Sequence, residues 1–298
     1  MQTSKQWNEF FLTRLIKISG YSAIIFVLMI FYFLLREGLP TISQVSLTNL
    51  ISIRWYPIED YFGLLPLIGG SILVTLGAAV FAIPIGLCTA IFIAEIAPRW
   101  TRDLLKPLVE ILGGIPSVVL GFLGILILAP ELRKLLDLPT GLTALAGSIL
   151  LGGVAIPTIV SVAEDALDSV PKSYRDAALA LGATPWQTIW KVTLPAARSG
   201  VLTAIMLGIG RAIGETMAVM MVTGNAAILP IKLNSIFSPV RTMTATIAAE
   251  MGEVAKNSGH YHVLFLIGLV LFIISLGINI AASTAVFKQK KRSERILS

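Results

Sequence analysis

Groups that carry chemistry are scarce in this chain. Of 298 residues, one is cysteine and two are histidine. A lone Cys88 within an apolar run excludes a disulfide framework and a thiolate metal site. His260 and His262 sit at the edge of another apolar run without a neighbouring ligand set, so no metal centre is expected. Charged residues make up only 13% of the chain, against 55% hydrophobic, more apolar surface than a water-soluble domain needs. A GxxxxGK(S/T) phosphate loop is absent, so the chain does not hydrolyse ATP by that means. No Ser-His-Asp constellation is evident either. The reading is a non-enzyme: if it moves a solute, the energy comes from a partner or an ion gradient.

What the chain has is long apolar runs. Crossing a hydrocarbon core of about 30 Å takes about 20 such residues. Six membrane spans are expected, at Ile18–Leu35, Leu64–Ala94, Leu108–Ala129, Leu142–Ala163, Ser199–Thr223 and Tyr261–Phe287. The fold class is therefore an all-α membrane protein. The second span is longer than needed, and tilt or a bend at Pro84 absorbs the excess. The first lacks a small-x-small cleavage site and is read as a span, peripheral to the rest, not as a signal peptide. Lys and Arg set the orientation. Fifteen fall in the N-terminal arm, the 95–107 turn, the 164–198 loop and the tail; seven fall on the opposite side. That bias places both termini in the cytoplasm. The net charge of +6 is thus topological; it implies lipid surroundings, not nucleic acid. The organisation follows: an N-terminal arm, first span and external segment over 1–63, a membrane domain over 64–287, and a basic cytoplasmic tail over 288–298.

The connecting segments carry further expectations. Trp55, Tyr56 and Tyr61 suit the water–lipid interface. Thr242–Ala255 is expected to form an amphipathic surface helix carrying Glu250 and Glu253. Lys106 and Glu110 are spaced as a surface i, i+4 pair. Glu164 and Asp165 are expected to be solvated or near a partner.

One polar island interrupts the apolar pattern: SYRDAALALGATPWQTIWKVTLP at 173–195. Ser173 and Asp176 have the spacing of a helix start. Tyr174, Ala177, Ala178 and Leu181 share one helical face. Gly182 stops the helix. Thr184 restarts it, with Pro185 at the first helical position and Gln187 completing a capping box. Trp186, Ile189 and Trp190 form the next apolar face, and Leu194-Pro195 closes the unit. Two short helices around a glycine elbow make a shaped knob, which calls for a socket on another protein.

Inside the fifth span lie Arg211 and Glu215, four apart and on one helical face. A mid-membrane arginine costs at least ~2.5 kcal/mol and faces a partner or a water-filled cavity. Two readings stand. One is a salt bridge that locks the bundle, with Gly210 and Gly214 as a small-residue packing face. The other is an anion site in a transport path, because the guanidinium fork donates two parallel hydrogen bonds to an oxyanion.

The stretch DAALALGATPWQTIWKVTLP resembles the cytoplasmic "EAA" loop of ABC importer permeases, with Asp176 for the usual Glu and Ala177, Ala178, Gly182, Leu194 and Pro195 in place. Two further motifs, Glu110-Ile111-Leu112-Gly113-Gly114-Ile115-Pro116-Ser117 and GRAIGETMAVMMVTGN at 210–225, are similar to the PstC-type permease subunits of phosphate importers. Several things are implied by that resemblance alone. The fold would be the type-1 ABC importer permease fold, in a bacterial inner membrane. The partners would be a PstA-like permease subunit, a PstB-like ATPase dimer and a PstS-like phosphate-binding protein. ATP and Mg would be held by that ATPase, and no cofactor by this chain. Asp176, Ala177, Ala178, Gly182, Trp186, Leu194 and Pro195 would seat in the ATPase, and Arg211 and Glu215 would line the substrate path. Permeases for sulfate, molybdate or phosphonate share the arginine argument. An ion-driven transporter would have no use for the knob, and in a non-transporting membrane sensor or scaffold Arg211–Glu215 would be only a structural bridge.

Overall fold

The computed structural model describes residues 2–297, and their side chains except at 2–11, 233, 282 and 285–297. Helix α1 runs Gln2–Gly38. After two single-turn helices comes a two-stranded antiparallel hairpin, β1 Trp55–Tyr56 and β2 Tyr61–Phe62. Helix α2 (Leu65–Ile91) continues through a wide turn, Phe92–Ile96. Next come α3 (Arg99–Gly114), α4 (Ser117–Leu135) and α5 (Ala144–Asp168). The polar island folds as α6 (Lys172–Ala180) and α7 (Pro185–Ala196). The remainder is α8 (Arg198–Gly214), α9 (Met217–Val222), α10 (Met243–Glu250) and α11 (Gly259–Leu297).

Four stretches are continuous, long and apolar enough to cross a membrane: Leu12–Gln44, Leu65–Ile96, Ala144–Asp168 and Gly259–Ala281. The count reaches six only when two bent pairs each count as one span: α3 with α4, bent by 90°, and α7 with α8, bent by 73°. Two expected spans are therefore not straight helices. Leu108–Ala129 is cut at Ile115-Pro116, because a residue before proline is pushed out of the helical region; Ile115 has ψ 129°. Ser199–Thr223 stops at Gly214, with Glu215 extended at ψ 131°, before α9 restarts the helix.

Helix α5 is the axis of the molecule and packs on α2, α3, α8 and α9. Its Ile159 is fully buried between two glycines. A Cβ on Gly86 of α2 would stand 2.8 Å from Ile159 Cγ2, and one on Gly208 of α8 would meet the same side chain. The three helices thus approach through missing side chains, as membrane helices do when no hydrophobic effect pulls them together. Helix α1 lies outside this core. It packs on α11 through Phe31 against Phe272 at 5.3 Å and Phe33 against Phe265 at 5.4 Å, and none of its apolar stretch is buried.

The two ends of the bundle carry polar clusters. At the hairpin end, Glu250 accepts from Arg241 (2.8 Å) and Trp55 Nε1 (3.2 Å) and pairs with His260 (2.8 Å). His262 is bonded to the Glu37 carbonyl at 2.7 Å. Helix α10 is not the surface helix expected: Met243, Thr244, Ala245 and Thr246 are buried, and Thr242 caps it through Ala245 N. At the opposite end Glu164 is buried, not solvated. It binds Arg102 (2.7 Å) and Lys106 (2.8 Å), while Asp165 takes Lys106 and Asp168 takes Arg102. Lys106 turns to these acids and away from Glu110, because an acid with no water of its own outbids an exposed neighbour for a cation.

Candidate functional site

Arg211 lies one turn before the end of α8, with its guanidinium on open surface. Nη2 donates to the Gly113 carbonyl at 2.9 Å and Nη1 to Thr158 Oγ1 at 3.0 Å. The first partner is a consequence of proline. Pro116 ends α3, which leaves Gly113 among the last carbonyls of a helix, without an intrahelical partner. Such carbonyls carry the negative end of the helix dipole and attract a cation. Thr158 follows Pro157 in α5, and Pro157 packs on Gly113. The arginine is thus gripped from one side at the elbow between α3 and α4, and its other N–H groups stay free to meet an anion.

Glu215 does not join it. The two sit on opposite sides of the break at Gly214, so the shared helical face assumed from their spacing does not exist. Glu215 Oε1 instead accepts from Thr216 N (3.0 Å) and Ala218 N (3.3 Å), where it satisfies the first amides of α9. Its carbonyl accepts from Thr244 Oγ1 at 3.1 Å, tying the break to α10. Around both residues, added side chains on Gly114, Gly210 and Gly214 would meet nothing within 4 Å. Arg211 therefore looks onto an open face of the chain.

The knob at 172–196 folds largely as its residues dictate. Gly182 adopts φ +83°. Thr184 and Gln187 form the reciprocal capping box, with bonds of 3.0 and 3.2 Å. Ser173 caps nothing; α6 begins one residue earlier, after Pro171. Among its apolar residues Ala178 and Ile189 are buried, whereas Tyr174, Leu181, Trp186 and Trp190 are exposed. The two tryptophans pack edge to face at 5.7 Å. Asp176 and Ala177 lie on α6, and Leu194 and Pro195 end the knob ahead of α8. No motif or spacing singles out Arg175. Its side chain bonds both oxygens of Glu95 and the carbonyls of Leu167 (2.8 Å) and Val170 (2.7 Å).

The chain as a whole matches known proteins. Residues 82–293 match the family described as "binding-protein-dependent transport system inner membrane component". A "probable ABC transporter permease protein YqgH" of Bacillus subtilis is 44% identical over 228 residues, 76% of this chain and 73% of that one. The "phosphate transport system permease protein PstC" of Haemophilus influenzae is 30% identical over 315 residues, 97% of this chain and 98% of that one. Among solved structures, a bacterial alginate ABC transporter bound to its periplasmic protein has a chain with TM-score 0.63 over 97% of both chains, at 15% identity. The chain belongs to the binding-protein-dependent transport system inner membrane component family and is a permease subunit of an ABC importer with the type-1 fold.

Proposed function

We propose that this subunit carries inorganic phosphate across the bacterial inner membrane, as the PstC-type half of an importer. The observation that carries the reading is Arg211, a cation anchored on the Gly113 carbonyl and Thr158 with donors left open. Similarity to proteins named as phosphate permeases supports phosphate over other oxyanions. In this reading the bent pairs complete six spans, both termini and the knob are cytoplasmic, and 64–287 is the transport domain between an N-terminal addition and a basic tail. A PstA-like chain covers the open face around Arg211. A PstB-like ATPase dimer, which holds ATP and Mg, receives the knob on Trp186, Leu181 and their neighbours. A PstS-like protein delivers the anion at the hairpin end.

The work is mechanical. ATP draws the ATPase pair together and the knobs with it. Because α7 passes into α8 across a single bend at Ala197, moving the knob re-aims the helix that carries Arg211. The anion meets the guanidinium from outside and leaves inward when the helix swings back. Glu215 holds the first turn of α9 in place during that swing.

The test is phosphate uptake by the complete importer in vesicles. Arg211→Gln should lower uptake about tenfold or more, the loss expected for a charge-assisted contact. Normal uptake would remove Arg211 from the path, and preferential uptake of sulfate would redirect the reading to another oxyanion.

A further inference from the structure

We infer that Arg175 and Glu95 form a clamp that makes the knob and α2 move as one body, so that the ATPase motion passed to α8 through Ala197 reaches α2 in step with it. The inference rests on the proposed role of the knob and adds a positioning residue to it. The knob is joined covalently to α5 through residues 169–171 and to α8 through Ala197. It has no chain connection to α2. Yet α2 packs on both α5 and α8, and a path that opens must move all three.

Arg175 supplies the missing link. One edge of its guanidinium, Nε and Nη2, donates to both oxygens of Glu95, at 2.6 to 3.2 Å, in the wide turn that ends α2. The same group satisfies the Leu167 and Val170 carbonyls at the end of α5. Three elements thus meet on one planar cation. Among the described residues, no other ion pair or hydrogen bond joins 172–196 to α2 or its terminal turn. The pair is largely withdrawn from water, with side chains 19% and 8% exposed, so it is screened little by salt. A two-point fork resists rotation where a lysine would pivot. Ile189 of the knob packs into the same joint with Ile91, Ile93, Leu167 and Val170. That apolar contact keeps the pieces together but lets them slide; the fork fixes their angle.

A merely structural pair and a clamp differ in what fails when it is cut. Glu95→Gln keeps the shape and removes the charge; Arg175→Lys keeps the charge and removes the fork. Both are read in the complete importer in vesicles, with the binding protein and inorganic phosphate supplied. The expected result is an ATPase that still copurifies and still hydrolyses ATP, while phosphate moved per ATP falls about fivefold or more, the lower range of a coupling between sites. Uptake and hydrolysis falling in proportion, an unchanged ratio, or loss of the ATPase from the purified complex would each overturn the clamp. The unaltered importer tests the functional reading separately: if it moves another anion under ATP, phosphate falls, and the ratio is measured with the anion it does move.

Discussion

Two carboxylates are withdrawn from water at opposite ends of the bundle, and each meets two basic side chains. Glu164 is 1% exposed and held by Arg102 and Lys106. Glu164→Ala would leave a void under Arg102 and Lys106, which keep Asp168 and Asp165 as partners. A loss of about 2 kcal/mol is expected, that of hydrogen bonds to a charged group and not of a stranded buried charge, and is measurable as earlier thermal aggregation in detergent. Glu250 offers a pH test. Burial alone would raise its pKa, but the hydrogen bond with His260, the Arg241 charge and the Trp55 bond together outweigh it and hold the carboxyl below its ordinary range. A lowered carboxyl pKa contributes stability that is full above the unfolded value of about 4.3 and fades as pH falls through the folded value. The wild type should therefore exceed Glu250→Gln in thermal stability at neutral pH, and the gap should close in acid. A gap constant with pH would assign the effect to packing. Residue identity was readable in the sequence, but partnership was not. Arg102 and Lys106 match the spacing of Glu164, Asp165 and Asp168, a match with meaning only once α3 and α5 are neighbours. The Gly113 carbonyl that grips Arg211 is backbone, and no residue type advertises it.

Among elements, the knob was the most legible and the fifth span the least. Gly182 and the Thr184–Gln187 box are local chemistry, so spacing alone identified them. Gly182→Ala forces a side chain into the left-handed region at about 1–2 kcal/mol, and Thr184→Ala removes a cap worth about 1 kcal/mol. Faster hydrogen exchange confined to 172–196 should report both, while Gly182→Arg should weaken copurification with the ATPase. Exchange spread through the bundle would show that the knob does not fold as a local unit. The fifth span misled because GRAIGETMAV reads as unbroken helix. Glycine and threonine permit a helix as readily as they permit a break, and what decides is Thr244 of α10, which holds the Glu215 carbonyl from a distance of 29 residues along the chain.

At the scale of the molecule, three helices meet where two glycines face one isoleucine. Gly208→Val would overpack this contact at about 1–3 kcal/mol, and adding Ile159→Ala should return part of the loss; no recovery would mean that the glycine serves the backbone and not the fit. That packing centre falls inside the matched residues 82–293, whereas α1 precedes them and touches the bundle on α11. The helical composition and the family were evident from apolar runs and the loop motif, because each is a property of sequence order. How the halves of a span are angled was not, because prolines permit bends without fixing them. The break at Gly214 has a further consequence. Lipid offers no hydrogen bonds, so irregular backbone survives at membrane depth only under protein or water. Gly114 and Gly214 nonetheless stand open on this chain. In the proposed importer, a copy without its PstA-like sister would carry an exposed flaw that cellular quality control can detect, so its abundance should track the sister's: deleting that gene should shorten this chain's half-life in a pulse-chase experiment, and an unchanged half-life would mean that water, not a sister chain, already covers the break.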